Sequence, residues 1–162
     1  VAFLRNKVQC WLPDLKYADS SAAARYSDAP DYFEKATAAI EQMFRQTGPY
    51  EIDSSGILRK GVLIRHLILP GQVENTKKVL EYVAGTFAPG EVLFSLMRQY
   101  VPCGRAAEYP EINRPITDEE YEECESYMEE LGIVDGYVQQ KASSDKMFIP
   151  AFDGTGVLKR EE

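Results

Sequence analysis

A nearly unbroken apolar run, GVLIRHLILPG at residues 61–71, constrains the fold more than any other feature of the sequence. The run contains only two polar residues, Arg65 and His66, and it ends at Pro70 and Gly71. A membrane-spanning helix needs about 20 apolar residues, so this run is too short for one. It predicts instead a strand of a parallel sheet that is buried on both faces.

Apolar strands and amphipathic helices alternate along the chain. Strands are predicted at residues 7–13 (closed by Pro13), 62–69 and 91–102, with a small hairpin at 50–60. Helices are predicted at 20–26, 28–48 (with Pro30 in its first turn), 72–87 and 117–131. The last helix begins with a capping box formed by Thr117 and Glu120. This alternation predicts an α/β fold with a parallel sheet over residues 1–135, followed by an irregular tail at 136–162. Because three strands are few for such a sheet, we expect the chain to be part of a larger domain.

Charge and cysteine usage exclude several classes of function. The net charge of −8 disfavours nucleic-acid binding, which needs clustered Lys and Arg. Residues 118–130 carry eight acids and no base, which is typical of a solvated helix face and less often of an acidic docking surface. The three cysteines, Cys10, Cys103 and Cys124, are far apart and match no disulfide or zinc pattern, so we expect them to be packing residues. With no membrane-length apolar run and no secretory signal in the sequence, a cytoplasmic location and no membrane partner are expected.

Polar residues gather where the three strong strands end, which is where ligands bind in α/β sheets and barrels. Asp14 and Lys16 are two apart and should point to the same side of an extended chain, as an ion pair or as part of a ligand site. Arg65 interrupts an apolar strand, so it should meet either an acid or an anionic ligand. His66 faces the other way and is expected to be a hydrogen-bonded core residue. Tyr100 follows the third strand, either at the same mouth or as a packed aromatic.

Several segments together resemble a known family. These are WLPDLKYAD, RYS with APDYFE, GVLIRHLILPG, SLMRQYVP, and YPEINRPIT with EEY, spread over roughly positions 8 to 133. As a set they resemble the radical S-adenosylmethionine proteins related to pyruvate formate-lyase activating enzyme. The resemblance implies a partial (β/α)6 TIM-like barrel, of which this chain holds the C-terminal half.

The resemblance also implies chemistry for the full-length protein. In that family a Cys-x-x-x-Cys-x-x-Cys loop holds a [4Fe–4S] cluster, whose open iron binds S-adenosylmethionine. Reduction then cleaves the cofactor to a 5′-deoxyadenosyl radical that abstracts a hydrogen, in some members from a protein substrate of the glycyl-radical type. This chain lacks the three-cysteine loop, and its own cysteines do not match cluster ligands. We therefore expect the chain alone to bind no cluster and to be inactive.

The family roles transfer to four positions. Asp14 and Lys16 match an Asp-Leu-Lys segment that lies beside the methionyl part of the cofactor. Arg65 matches an arginine that faces the cofactor. Tyr100 stands where the activating enzyme has a histidine, so its cofactor role is the weakest of the four.

Two other functions are compatible with the same residues. One is a stand-alone α/β ligand-binding module without redox chemistry. The other is a barrel lyase or aldolase that uses Lys16 as a Schiff-base amine. A chain that holds only half of the barrel sheet should leave an outer strand, at residues 7–13, without its neighbour. That exposed edge predicts a homo-oligomer formed through the edge or its apolar face.

Overall fold

The computed structural model describes residues 1–138, which form a five-stranded sheet and four α-helices. The strands are β1 (Cys10–Trp11), β2 (Glu51–Ile52), β3 (Leu58–Leu67), β4 (Leu93–Met97) and β5 (Gly136–Val138). The helices are α1 (Ser20–Ser27), α2 (Tyr32–Thr47), α3 (Val73–Thr86) and α4 (Asp118–Glu130), with short 3-10 turns at Ala2–Leu4 and Gly104–Glu108. No helix in this described part is long and apolar enough to cross a membrane.

The sheet is mostly parallel, and its main strands follow their order in the sequence. β1, β3, β4 and β5 are neighbours in that order and pair in parallel, while β2 pairs antiparallel with the start of β3. The predicted α/β class, the hairpin at residues 50–60 and the strand–helix alternation are confirmed. Parallel strands end at one edge of a sheet, so the residues that follow β1, β3 and β4 lie near one another.

One face of the sheet packs against the helices. The alternate β3 residues Val62, Ile64 and His66 are buried, as are Phe94 and Leu96 of β4. Apart from His66, these side chains belong to one hydrophobic cluster with residues of α2, α3 and α4. We call this side the helix face, and it contains most of the core.

The opposite side, which we call the open face, carries Leu63, Arg65 and Leu67 of β3, and Tyr137 of β5 lies on the same side. The β4 residues in register with Leu63 and Arg65, which are Leu93 and Ser95, are buried. Leu63, Arg65 and Leu67 are only half-buried, so the prediction of a strand buried on both faces is wrong for them. Leu12, which directly follows β1, and Tyr137 of β5 are each 49% exposed. A helix-covered face and a partly exposed face therefore alternate along β3 with the period of two expected for a strand.

Strand β1 ends at Trp11, shortly before Pro13, but pairing with β3 resumes at the proline. Pro13 lacks an N–H and interrupts the regular ladder, yet its carbonyl accepts from the Arg65 N–H, and the Leu15 N–H donates to the Arg65 carbonyl, both at 2.9 Å. A further parallel bridge joins Asp14 to Arg65. The pairing thus continues past the proline and delivers Asp14 to the side of Arg65.

Other boundaries also differ from the sequence prediction. Helix α2 begins at Tyr32, so Pro30 precedes the N-cap Asp31 instead of lying in the first turn. Strand β4 ends at Met97, which leaves Tyr100 in the loop that follows. The first three residues of the predicted tail form β5, and the remainder, 139–162, lies outside the described residues. The capping box at Thr117 and Glu120 is present as predicted.

Candidate functional site at the strand ends

Three of the four predicted site residues form one charged cluster. The Arg65 Nη2 atom lies 2.7 Å from Asp14 Oδ1, and the Lys16 Nζ atom lies 3.9 Å from Asp14 Oδ2. The Lys16 and Arg65 side chains keep 49% and 41% of their surface exposed, and Asp14 keeps 35%. The cluster is therefore open to solvent on the open face of the sheet. Arg65 therefore has the acidic partner that was one of its two predicted alternatives, and the anionic ligand stays a prediction.

The cluster carries more positive than negative charge. Asp14 is the one acid shared by two cations, which leaves a formal charge of +1. The contact between Arg65 and Asp14 is close but poorly aligned, because Asp14 Oδ1 and Arg65 Nε are both buried without a hydrogen-bond partner within the described part of the chain. An arginine fork satisfies a carboxylate best through two parallel hydrogen bonds. The geometry therefore leaves unused donor capacity at Arg65 and a weakly paired ammonium at Lys16.

The backbone that carries Asp14 and Lys16 is held by three polar side chains from separate elements. The Tyr32 hydroxyl of α2 donates to the Asp14 carbonyl at 2.9 Å and accepts from the Lys16 N–H at 3.0 Å. The Asn75 side chain of α3 donates to the Lys16 carbonyl at 3.0 Å. Its Oδ1 atom accepts from the backbone N–H groups of Ala18 and Asp19, at 2.8 and 3.0 Å. His66 of β3 contacts the Leu15 carbonyl. The loop is thereby fixed from the helix face, which orients Asp14 and Lys16.

His66 is the fully buried member of this set, as predicted for a core histidine. Its Nδ1 atom lies 2.6 Å from the Leu15 carbonyl oxygen and its Nε2 atom 2.9 Å from the Thr76 hydroxyl. A carbonyl can only accept, so Nδ1 carries the proton and the neutral Nε2 accepts from Thr76. Burial lowers the pKa of His66 to about 4. His66 is thus neutral at physiological pH and has a structural function.

Tyr100 lies beside the cluster in a different role. Its hydroxyl donates to the Ile112 carbonyl at 2.9 Å, and burial raises its pKa. Tyr100 and Lys16 both line a cavity of about 470 Å³ between the strand ends and the loop that follows β4. The structure therefore brings Tyr100 to the same mouth as Lys16, with its hydroxyl bound to the protein.

The cysteines do not form a site for an iron–sulfur cluster. All three are free thiols: Cys124 is buried in the core, Cys10 is half-buried, and Cys103 is exposed. Burial raises the pKa of Cys124 to about 12. The packing role is confirmed for Cys124 and is wrong for Cys103, which lines the cavity. Residues 1–138 contain no group of three or more His, Cys, Asp or Glu side chains that could hold a metal ion, so they do not fit a [4Fe–4S] cluster.

Part of the acidic segment 118–130 is used in contacts within the chain. Glu120 pairs with Arg114 at 2.6 Å, and its carboxylate also accepts from the Gly71 N–H at 2.7 Å. The hydrogen bond to Arg114 lowers the pKa of Glu120 to about 2. Glu123 pairs with Lys77 at 2.6 Å. Asp118 pairs with Arg98 at 2.7 Å. These contacts attach α4 to its surroundings, while acids such as Glu122, Glu129 and Glu130 are exposed.

Sequence reasoning missed Tyr32 and Asn75, which position the cluster, and the tyrosines that line the cavity. Asn75 falls on the buried side of α3, and a polar residue within an apolar stripe was the available signal. Tyr32 and the cavity tyrosines gave no such signal, because an aromatic residue is as common in a core as in a site.

Comparisons with known proteins give one distant relative. No protein-family model matches the chain, and no solved structure gives a significant match. A protein of Methanocaldococcus jannaschii described as "Uncharacterized protein MJ0674" is 28% identical over 124 residues, which cover 75% of this chain. The matched part is 31% of the relative, so the chain spans about a third of that protein's length.

Proposed function

We propose that this chain is the C-terminal half of a (β/α)6 partial barrel in a radical S-adenosylmethionine protein of the activating-enzyme type. In this proposal Asp14, Lys16 and Arg65 form one wall of the cofactor site. The observation that carries the proposal is the excess of positive charge at the ends of two adjacent parallel strands, next to a cavity of about 470 Å³.

The sheet topology supports the barrel. A doubly wound sheet reverses its strand order and carries helices on both faces, whereas in a barrel successive strands are neighbours and the helices lie outside. Here β1, β3, β4 and β5 are neighbours in sequence order, and the three larger helices contribute to the cluster on one face. The open face would then correspond to the inside of the barrel.

The charges of the wall suit the methionyl end of the cofactor. Its carboxylate would be held by Arg65 and Lys16, since charge-assisted hydrogen bonds to a guanidinium are the stronger kind. Asp14 would keep the two cations in place and balance the positive charges of the ligand. When bound to a reduced cluster, S-adenosylmethionine supplies a radical that abstracts hydrogen. Because the described residues hold no ligand set for a cluster, no step is assigned to it, and its ligands would come from elsewhere in the complete protein.

Anaerobic purification of the complete protein tests the radical chemistry. We expect bound iron and sulfide, charge-transfer absorption of a [4Fe–4S] cluster, and release of 5′-deoxyadenosine from S-adenosylmethionine after reduction. A colourless complete protein without iron would contradict the proposal.

The second candidate is a stand-alone α/β ligand-binding module, and the large cavity beside the cation cluster favours it. The two candidates differ in the reading frame that precedes Val1. A Cys-x-x-x-Cys-x-x-Cys segment fused in that frame supports the enzyme, and a start codon next to Val1 supports the module.

A further inference from the structure

We propose that the cavity beside the strand ends, which we call the tyrosine cavity, binds an aromatic ring that bears an anionic group. The site goes beyond the proposed function, because its ligand is distinct from the cofactor. It shares only Lys16 with the proposed cofactor wall.

The walls of the tyrosine cavity are aromatic and aliphatic. Four tyrosines line it together with leucine, valine and isoleucine side chains; the tyrosines are Tyr17, Tyr26, Tyr100 and Tyr109. Such walls suit a flat apolar ligand, which can stack on tyrosine rings or meet their edges.

Protein contacts already use the hydroxyls of these tyrosines. Tyr26 donates to Glu111 at 3.0 Å, and Tyr100 donates to the Ile112 carbonyl at 2.9 Å. The Tyr17 hydroxyl lies 2.9 Å from the Ser27 hydroxyl. Polar parts of a ligand therefore gain little from these groups, and the rings offer mainly apolar surface.

The charges around the tyrosine cavity favour an anion. Its lining includes Lys16 and Arg105 and no Asp or Glu. Arg105 is paired with Glu108 at 2.9 Å, so its charge is largely used. The Lys16 ammonium is only loosely paired with Asp14, at 3.9 Å, because Arg65 holds the same carboxylate at 2.7 Å. Lys16 is thus the cation available to the anionic end of a ligand.

The volume sets the size of the ligand. Ligand cavities in proteins commonly enclose about 300–1,000 Å³, and this one encloses about 470 Å³. A molecule of one or two fused rings with a single carboxylate would fill a good part of it. Sodium 2-naphthoate is a suitable probe, and 2-naphthalenemethanol is a neutral control of nearly the same shape.

Calorimetric titration of the whole chain with both probes tests the proposal. We expect naphthoate to bind about tenfold more tightly than the alcohol, since one ion pair in a partly desolvated site is worth about that much. Lys16→Met should remove this difference and keep the binding of the alcohol. Lys35→Met removes a lysine of α2 that pairs with Glu34 and does not line the cavity, so it should leave both affinities unchanged. Equal affinities for the two probes would overturn the proposal.

Two further measurements locate the ligand. Val101→Trp should fill the tyrosine cavity and abolish binding of both probes. If this variant fails to fold, nuclear Overhauser contacts between naphthoate and tyrosine ring protons in the unmutated chain decide the question, and their absence would refute the site. Because both sites use Lys16, S-adenosylhomocysteine should weaken naphthoate binding only to about the affinity of the alcohol. Full displacement of both probes would assign the cavity to the cofactor and overturn the separate site. A complete protein without iron would leave the naphthoate result unchanged, so the two proposals can fail independently.

Discussion

Acidification should destabilise the chain through His66 before its carboxylates begin to protonate. Burial lowers the pKa of this imidazole from 6.5 to about 4 in the folded chain. Between those two values the unfolded chain binds a proton that the folded chain does not, so the free energy of unfolding decreases as the pH falls. The full difference corresponds to on the order of 3 kcal/mol, which is present above pH 6.5 and lost progressively down to about pH 4.

The other groups with lowered pKa values act in a more acidic range. Contacts with Arg25 and Arg114 lower the pKa values of Glu111 and Glu120 to about 2. Their stabilisation is present above the unfolded value of about 4.5 and is lost as the pH falls toward 2. The interval from pH 6.5 to about 5 therefore reports mainly on His66.

Urea unfolding at closely spaced pH values measures the effect. The chain has a single histidine, so its imidazole resonance also reports the folded pKa without ambiguity. His66→Asn keeps a donor for the Leu15 carbonyl and cannot titrate, so it should flatten the pH dependence between 6.5 and 5. A constant free energy of unfolding over this interval in the unmutated chain, or a folded pKa near 6.5, would refute the reasoning.

Three further results are expected. Asn75→Ala should lower the free energy of unfolding by roughly 2–3 kcal/mol because three backbone groups lose their partner. Glu74→Ala, at the exposed neighbouring position, should change that free energy little. Equal effects of the two substitutions in urea unfolding would contradict this prediction. Gly136→Ala should detach β5, since a Cβ there would overlap the Phe94 carbonyl, and unchanged hydrogen exchange of the β4–β5 amides would argue against it. The exposed edge of β1 should cause self-association, and a strictly monomeric chain in sedimentation at high concentration would count against that prediction.

The sequence predicted the order and type of the main elements because their periodicity is local. The apolar run of β3, the stripe of α3 and the Thr117 capping box need only neighbouring residues to be recognised. The bounds of β1 and β4 were less accurate. Pro13 predicts the end of β1, but the pairing of its carbonyl with β3 could not be predicted because ladder pairing depends on a distant strand.

The site was predicted only in part, because some of its features are local in the sequence and others depend on pairing between distant segments. Residues two apart on a strand share a side, so Asp14 and Lys16 could be grouped, and an arginine in an apolar strand was conspicuous. That Asp14 would pair with Arg65 depends on the register of β1 against β3, which the sequence alone does not give. The support from Tyr32 and Asn75 and the assembly of the tyrosine cavity depend on how α2, α3 and the loop after β4 pack.

The affinity of the complete protein for S-adenosylmethionine, measured anaerobically with variants of the wall, tests the central claim most directly. Arg65→Gln and Lys16→Met should each raise the dissociation constant at least about tenfold, or about 1.4 kcal/mol, by removing a cation from the methionyl carboxylate. Lys35→Met is the matched control and should leave the constant unchanged. Equal affinities in all three variants and the unmutated protein would contradict the assignment of this wall to the cofactor.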